Sequence, residues 1–190
     1  MKTLQLKPAR GYDPKTQGKI GLLAAQLDDQ LRSLKVDIKQ MTVEHLEWQM
    51  RPGMNTIGML LAHLALAEVW WVAVAANEIP WEPKGKKIVV DVCGFEDDGL
   101  PLAADGTHPE YLRGYTLERY LAVLTKARRR VHRELKTWRD RDLDACYVTP
   151  KKSKISYGWT LYHVLEHFSG HYGQILLLKH LMRDAGVLPG

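Results

Sequence analysis

The chain has 190 residues, of which 45% are hydrophobic and 26% are charged, a balance typical of a single globular domain with a substantial core. Its 15 glycines and 9 prolines are ordinary numbers for this length, which argues against a collagen-like or a disordered chain. The formal net charge of +5 is mildly basic, so it permits nucleic-acid binding without requiring it.

Cysteine usage and hydropathy predict a cytoplasmic protein. Cys93 and Cys146 are far apart and form no CxxC pair, as is typical of reduced thiols. The N-terminal segment has no apolar run of the kind that signal peptides carry. The longest apolar stretch is interrupted by His63 and Glu68, and it falls short of the roughly 18 residues of a membrane span. We therefore expect no association with a membrane.

The first predicted helix covers residues 15–39, followed by a link. Apolar residues recur there every three or four positions, as one face of a helix requires. They are Ile20, Leu23, Leu27, Leu31, Leu34 and Ile38. In the link, Thr42 is a candidate cap for a single helical turn. Proline and glycine at positions 52 and 53 then break the helical pattern.

The second predicted helix covers residues 56–77, with Asn55 as its N-cap. Glu68 is its only formally charged residue, so the helix is apolar nearly all round. Such a helix is buried on several sides, either at the centre of a bundle or against a second subunit. Trp70 and Trp71 are adjacent and are therefore expected to point in different directions. The apolar surface of this helix is more than one bundle core easily covers, which predicts a homodimer.

Residues 79–115 form a long connection with four prolines and five glycines. A connection of this length is typical of a functional lid or insertion, and the alternative is a mobile surface excursion. A basic cluster (Lys84, Lys86 and Lys87) precedes the apolar run 88–92, for which we predict a short strand. The acidic residues Glu96, Asp97 and Asp98 follow.

Two further helices are predicted in the C-terminal half. The third covers residues 116–138 with Thr116 as its cap, and the fourth covers residues 159–185 with Gly186 as a C-terminal signal. Four helices of about twenty or more residues, with little strand, predict an all-α four-helix bundle with a long insertion between helices 2 and 3. The order in which the helices pack stays open.

Three histidines at intervals of four, His163, His167 and His171, stand in the fourth helix. Residues four apart lie on one face of a helix, so either adjacent pair can bind one metal ion. The outer two are separated by about 12 Å of helix rise, too far for all three to bind the same ion. His63 is a candidate third ligand from the second helix, and the alternative is a core histidine that bonds a carbonyl or a polar side chain.

The other histidines are expected to be structural or solvated: His45, His108, His132 and His180. The basic run KARRRVHRELK at residues 126–136 raises the question of nucleic-acid binding. Its three consecutive arginines spread about 200° round a helix and do not form one stripe. A solvated helix face is therefore favoured, and nucleic acid is not expected as a partner.

Two segments resemble the DinB-like (DinB/YfiT-like) superfamily of metal-binding four-helix-bundle proteins. They are EHLEWQMRPGMNTIGMLLAHLALAEVWW at residues 44–71 and HVLEHFSGHYGQILLLKHL at residues 163–181. The resemblance implies that His63, His167 and His171 bind a divalent metal ion. It leaves His163 outside the ligand set, and His163, Glu166 and Gln174 then become residues that orient a ligand, a water or a substrate.

The same resemblance implies several reactions at a three-histidine ion, which can activate a bound water or a thiolate. The leading hypothesis is a metal-dependent enzyme that transfers a low-molecular-weight thiol, such as mycothiol or bacillithiol, to a small-molecule substrate. The alternatives are a metal-dependent hydrolase and a non-catalytic binding protein. Zinc is the first choice of metal, with nickel, iron or manganese as alternatives.

No general base is assigned with conviction. Glu68, Glu166 and Tyr162 are candidates by their proximity to the histidines in the sequence. The insertion at residues 79–115 is expected to help close the substrate pocket. Its Lys or Arg residues are expected to hold an anionic substrate.

Overall fold

The computed structural model describes residues 5–100, 102–149 and 152–189. In chain order, the regular elements are α1 (Gly18–Asp37), α2 (Val43–Glu47), α3 (Ile57–Val69), α4 (Lys86–Cys93), α5 (Leu117–Leu135), β1 (Cys146–Val148), β2 (Lys154–Ser156) and α6 (Tyr157–Asp184). The four long helices α1, α3, α5 and α6 form the predicted bundle. Both α1 and α3 pack against α5 and α6, so α1 and α3 occupy opposite corners.

Helix α3 is the central helix of the bundle. All of its residues except His63 and Leu66 are buried. Packing within one chain therefore explains why this helix is apolar on nearly every side. Within the described residues, Ile57–Asn77 is long and apolar enough to cross a membrane, yet 78% of its apolar window is buried in the protein. A mostly buried helix of this kind is typical of a protein core.

The helix α3 begins one residue later than predicted, and it ends in a different helical form. Thr56, rather than Asn55, is the N-cap, and its hydroxyl accepts a hydrogen bond from the Met59 N–H at 3.1 Å. At the other end, Trp70–Val74 adopts π-helical hydrogen bonding, followed by a 3₁₀ turn at Ala75–Asn77.

The strand predicted at residues 88–92 is wrong, because these residues belong to helix α4. Val89, Val92 and Cys93 are its buried residues, and their spacing of three and one places them on one helical face. That face packs against α3 and α5, so tertiary packing overrides the strand preference of the β-branched residues. Gly94, at φ +83°, ends the helix in the left-handed conformation.

The C-terminal half agrees closely with the sequence. The Thr116 hydroxyl caps α5 by accepting from the Arg119 N–H at 3.3 Å. Ser156 caps α6, which begins two residues earlier than predicted, and Gly186 follows its end at φ +71°. The antiparallel hairpin of β1 and β2 was not predicted, because strands of three residues are too short to show a pattern of alternation.

The four histidines expected to be structural or solvated are so. His45 completes a capping box with Thr42, and the buried His108 bonds the Thr56 hydroxyl at 2.8 Å. His132 lies between Tyr12 and Asp28, and His180 is exposed. Both cysteines are free, Cys93 buried and Cys146 exposed.

Candidate metal and substrate site

Three imidazoles converge at the centre of one side of the bundle. His63 extends from α3, and His167 and His171 extend from successive turns of α6. The Nε2 atom of His167 lies 2.9 Å from Nε2 of His63 and 3.2 Å from Nε2 of His171. One nitrogen of each ring lies within 4.8 Å of the other two. Of the two pairs that the sequence left open, the structure therefore brings His167 and His171 together with His63.

Side-chain acceptors fix the orientation of two of these rings. Nδ1–H of His63 donates to Oδ2 of Asp98 at 2.7 Å, and Nδ1–H of His171 donates to Oε1 of Gln174 at 2.8 Å. The other oxygen of Asp98 accepts from the Leu100 N–H at 2.9 Å, which holds the carboxylate in place. With Nδ1 protonated, the Nε2 lone pairs of both rings point towards the shared centre.

This donor set fits a divalent metal ion. The Nε2 lone pairs of His63 and His171 both face Nε2 of His167, and a positive charge between the three nitrogens would be stabilised by them. Tetrahedral bonds of 2.0–2.1 Å place ligand nitrogens about 3.3 Å apart, close to the two separations in the cluster. Burial lowers the pKa of His167 to about 3, with a further contribution from the His171 and His63 imidazoles. His167 is thus neutral at pH 7, as a metal ligand must be.

His163 lies beside the cluster rather than in it. Its ring stacks on Trp159 with centroids 4.7 Å apart, and it meets Trp71 edge-on at 4.8 Å. Its Nδ1 atom lies 3.4 Å from Oε2 of Glu166, a carboxylate that is 56% exposed. Of the three residues predicted to support the site, Gln174 contacts a cluster histidine directly, and Glu166 contacts His163.

The structure removes Glu68 from the candidate general bases. Glu68 is 3% exposed, and its two oxygens accept from the Arg128 guanidinium at 2.5 and 2.9 Å. A buried carboxylate in such a pair is not free to take a proton from a substrate. Tyr162 is 58% exposed and forms no hydrogen bond with the cluster among the described residues. Glu166 contacts His163 rather than a histidine of the cluster, so no side chain is assigned as the base.

A cavity of about 530 Å³ lies next to the cluster: Asp98 lines it and bonds His63, although none of the three histidines is itself among the lining residues. Its walls come from α3 and the π-helical turn, from the insertion, and from the β-hairpin. The lining residues are Leu66, Trp70, Trp71, Trp81, Glu96, Asp97, Asp98, Leu100, Thr149, Ser153 and Ile155. Residues of the insertion therefore form part of the cavity wall.

The cavity differs from two expectations drawn from the sequence. The charged residues among its described lining are all acidic; Lys86 pairs with one of them, Glu96, at 2.6 Å, and Lys87 pairs with Asp91 at 2.7 Å. Trp70 and Trp71 do not point apart, because their ring centroids lie 4.6 Å from each other and both line the cavity. The π-helical turn that begins at Trp70 replaces the regular α-helical spacing of about 100° per residue.

Asp98 is the site residue that the sequence did not identify. It is 5% exposed, and its position in an irregular segment carries no periodic signal. Only its place in an acidic cluster was visible. A buried carboxylate that orients a ligand histidine supports both ring position and ligand basicity.

We expect Asp98→Asn to weaken metal binding by roughly 10–100-fold, the usual effect of losing such a partner. The amide keeps the volume but no longer provides a charged acceptor for Nδ1–H of His63. Chelator competition with purified protein measures the change. Asp97→Asn is the matched control, since Asp97 accepts from the Gly99 N–H and does not bond a histidine. Equal effects of the two variants would contradict the role of Asp98.

Comparison with known proteins agrees with this fold. A crystal structure of a DinB-like protein from Bacillus cereus superposes with a TM-score of 0.58 at 18% sequence identity, covering 94% of this chain and 99% of that chain. A conserved protein from Enterococcus faecalis superposes with a TM-score of 0.63 at 14% identity, covering 86% of this chain and 96% of that chain. Both show similarity of fold. No curated protein matches the chain significantly.

The family assignment rests on the sequence itself. A sequence profile described as the DinB superfamily matches residues 26–175, which include all three histidines of the cluster and most of the chain. The resemblance found in the two segments is thereby confirmed, and the chain belongs to the DinB superfamily.

Proposed function

We propose that His63, His167 and His171 bind one divalent metal ion and that the protein is a metal-dependent enzyme that transfers a low-molecular-weight thiol. The observation that carries the proposal is the convergence of three Nε2 atoms, two of them on rings anchored through Nδ1 by Asp98 and Gln174. Zinc is the first choice, because neutral imidazoles suit it well, with nickel, iron and manganese as alternatives.

The protein supplies orientation and a shielded pocket for this chemistry. A divalent ion held by His63, His167 and His171 would provide the positive charge that stabilises a thiolate at neutral pH. The thiol proton leaves to solvent, the sulfur forms a bond to an electrophilic carbon, and the bond from that carbon to its leaving group breaks. Trp71 and the insertion shape the cavity in which the electrophile is held beside the histidines.

Thiol dependence of turnover tests the reaction. Purified protein without a histidine tag is incubated with small electrophiles and with cysteine, bacillithiol or mycothiol, and loss of free thiol is measured together with product. We expect turnover that needs added thiol and is abolished in His63→Ala. Equal turnover in that variant would overturn the proposal, and turnover without any thiol would assign hydrolysis instead.

We further propose a cytoplasmic homodimer that does not bind nucleic acid. Burial of α3 within one chain removes the original reason for a dimer, and support comes instead from Trp159, Tyr162 and Leu177 of α6, which are 41%, 58% and 58% exposed. A monomer mass by light scattering would contradict it. In the basic run, Arg128 pairs with Glu68, and Arg130 pairs with Glu134, which leaves less free charge for phosphate contacts.

A further inference from the structure

The cavity next to the histidine cluster combines aromatic rings with carboxylates. Trp70 and Trp71 line one side of it, and Trp81, from the start of the insertion, also lines it. All three indoles are half-buried. The volume of about 530 Å³ is in the range of small-molecule pockets. Three tryptophans therefore give this cavity a largely aromatic wall.

Among the described residues, the charged side chains that line the cavity are carboxylates. Asp97 is exposed, accepts a hydrogen bond from the Gly99 N–H at 2.9 Å, and also lies within hydrogen-bonding reach of the Tyr111 hydroxyl. Asp98 accepts from Nδ1–H of His63, and Glu96 pairs with Lys86 at 2.6 Å. Among the described side chains of the cavity wall, three carboxylates are therefore joined by a single lysine, apart from any ion held at the histidines.

The hairpin lysines do not reverse this balance among the described residues. Ser153 and Ile155 line the cavity, and Lys154 lies between them on β2. Because successive side chains of a strand point to opposite faces, Lys154 faces away from the cavity. Lys152 is exposed and does not line it.

Indole faces and carboxylates attract the same kind of group. The negative face of an indole attracts a cation within about 6 Å of the ring centre, and cages of aromatic rings are a known way to bind quaternary ammonium groups. Carboxylates around the rings add Coulomb attraction and repel anions. This combination opposes the anionic substrate that the sequence suggested.

We propose that this cavity binds the ammonium group of an organic cation, and that the substrate of the histidine site carries such a group. The second half of this statement rests on the proposed function, since it assumes chemistry at the histidines. Asp98 links the cavity to the histidine site, because it lines the cavity and bonds His63. A substrate with its ammonium group among the tryptophans would extend its reactive end towards the histidines.

A charge series of nearly identical shape tests the binding. Choline, 3,3-dimethylbutan-1-ol and 3,3-dimethylbutanoate carry one positive charge, no charge and one negative charge on the same branched skeleton. Binding is measured by calorimetry and by quenching of tryptophan fluorescence, with the purified protein at known metal content. We expect choline to bind at least about tenfold more tightly than the neutral alcohol, which is about 1.4 kcal/mol, and the carboxylate to bind most weakly.

Variants locate the binding in this cavity. Trp81→Ala and Asp97→Asn are expected to weaken choline binding severalfold or more while leaving the metal content unchanged, because neither residue bonds the histidines. Asp105→Asn is the matched control, since Asp105 is an exposed insertion carboxylate outside the cavity. It should bind choline as the parent protein does.

Three results would overturn the inference: no saturable choline binding, equal binding of the alcohol, or tighter binding of the carboxylate. Each is distinguishable from failure of the proposed function, because metal content is measured in the same samples. Protein that contains metal but does not bind choline would leave the metal site standing. Protein that binds choline but no metal would leave the cation pocket standing.

Discussion

His171→Ala is expected to remove the metal from the purified protein, whereas His163→Ala is expected to retain it. Both histidines lie one turn from His167 on α6, so the two substitutions are matched in residue type and in helix. They differ in geometry, because Nε2 of His171 faces the cluster, while the His163 ring stacks on Trp159. Loss of a ligand should cost more than the roughly 10–100-fold that loss of a supporting residue costs.

Elemental analysis of untagged protein, followed by chelator competition, measures this difference. Near one metal ion per chain is expected for the parent protein and for His163→Ala, and far less for His171→Ala and for the double variant His63→Ala, His167→Ala. Circular dichroism confirms that each variant is helical. If His163→Ala lost the metal and His171→Ala kept it, the ligand pair on α6 would be His163 and His167, which the geometry disfavours. Retention in the double variant would make these histidines structural.

The regular part of the fold could be predicted because it leaves a periodic signal in the sequence. The amphipathic helices α1 and α5 show this signal through apolar residues spaced by three and four. Thr116 marks the start of α5, because threonine is a favoured N-cap residue. The four-residue spacing of His167 and His171 is also a periodic signal. It predicts that both side chains lie on one face of the helix, one turn apart. His63 could be singled out because a lone histidine in an apolar helix needs a partner.

The rest depends on long-range contacts that have no local signature. Asp98 reaches His63 from 35 positions further along the chain, and nothing in the residues around it marks that contact. The π-helical turn at Trp70–Val74 brings two indoles to one cavity, although regular helical spacing predicts that they diverge. Residues 88–92 have strand-forming side chains, but they form a helix because one face of it covers the core.

The charge of the substrate pocket shows the same limit on function. Counting lysines in the insertion predicted an anionic substrate, but charge in the sequence does not say which way a side chain faces. Lys86 and Lys87 form ion pairs with carboxylates of the same chain, at Glu96 and Asp91. Only the folded chain shows that, in the part the structure describes, acidic side chains rather than lysines line the cavity.

Arg128→Met is expected to destabilise the protein by about 3–5 kcal/mol, the usual cost of removing one partner from a buried ion pair. Arg128 is 5% exposed and Glu68 is 3% exposed, and two hydrogen bonds join them at 2.5 and 2.9 Å. The pair connects α5 with α3. Without the guanidinium, Glu68 must stay charged and unpaired in the core or take up a proton, and either state costs free energy.

Urea unfolding followed by circular dichroism measures this loss, with Arg130→Met as the matched control. Arg130 lies on the same helix and pairs with Glu134 at 2.7 Å, but its side chain is 25% exposed, so its loss should cost about 0–1 kcal/mol. The double variant Glu68→Leu, Arg128→Met should recover most of the stability, since it leaves no buried charge unpaired. Equal costs for the two arginines would contradict the buried pair. Metal content that stays unchanged in the double variant would show that Glu68 stabilises the bundle and has no part in the histidine site.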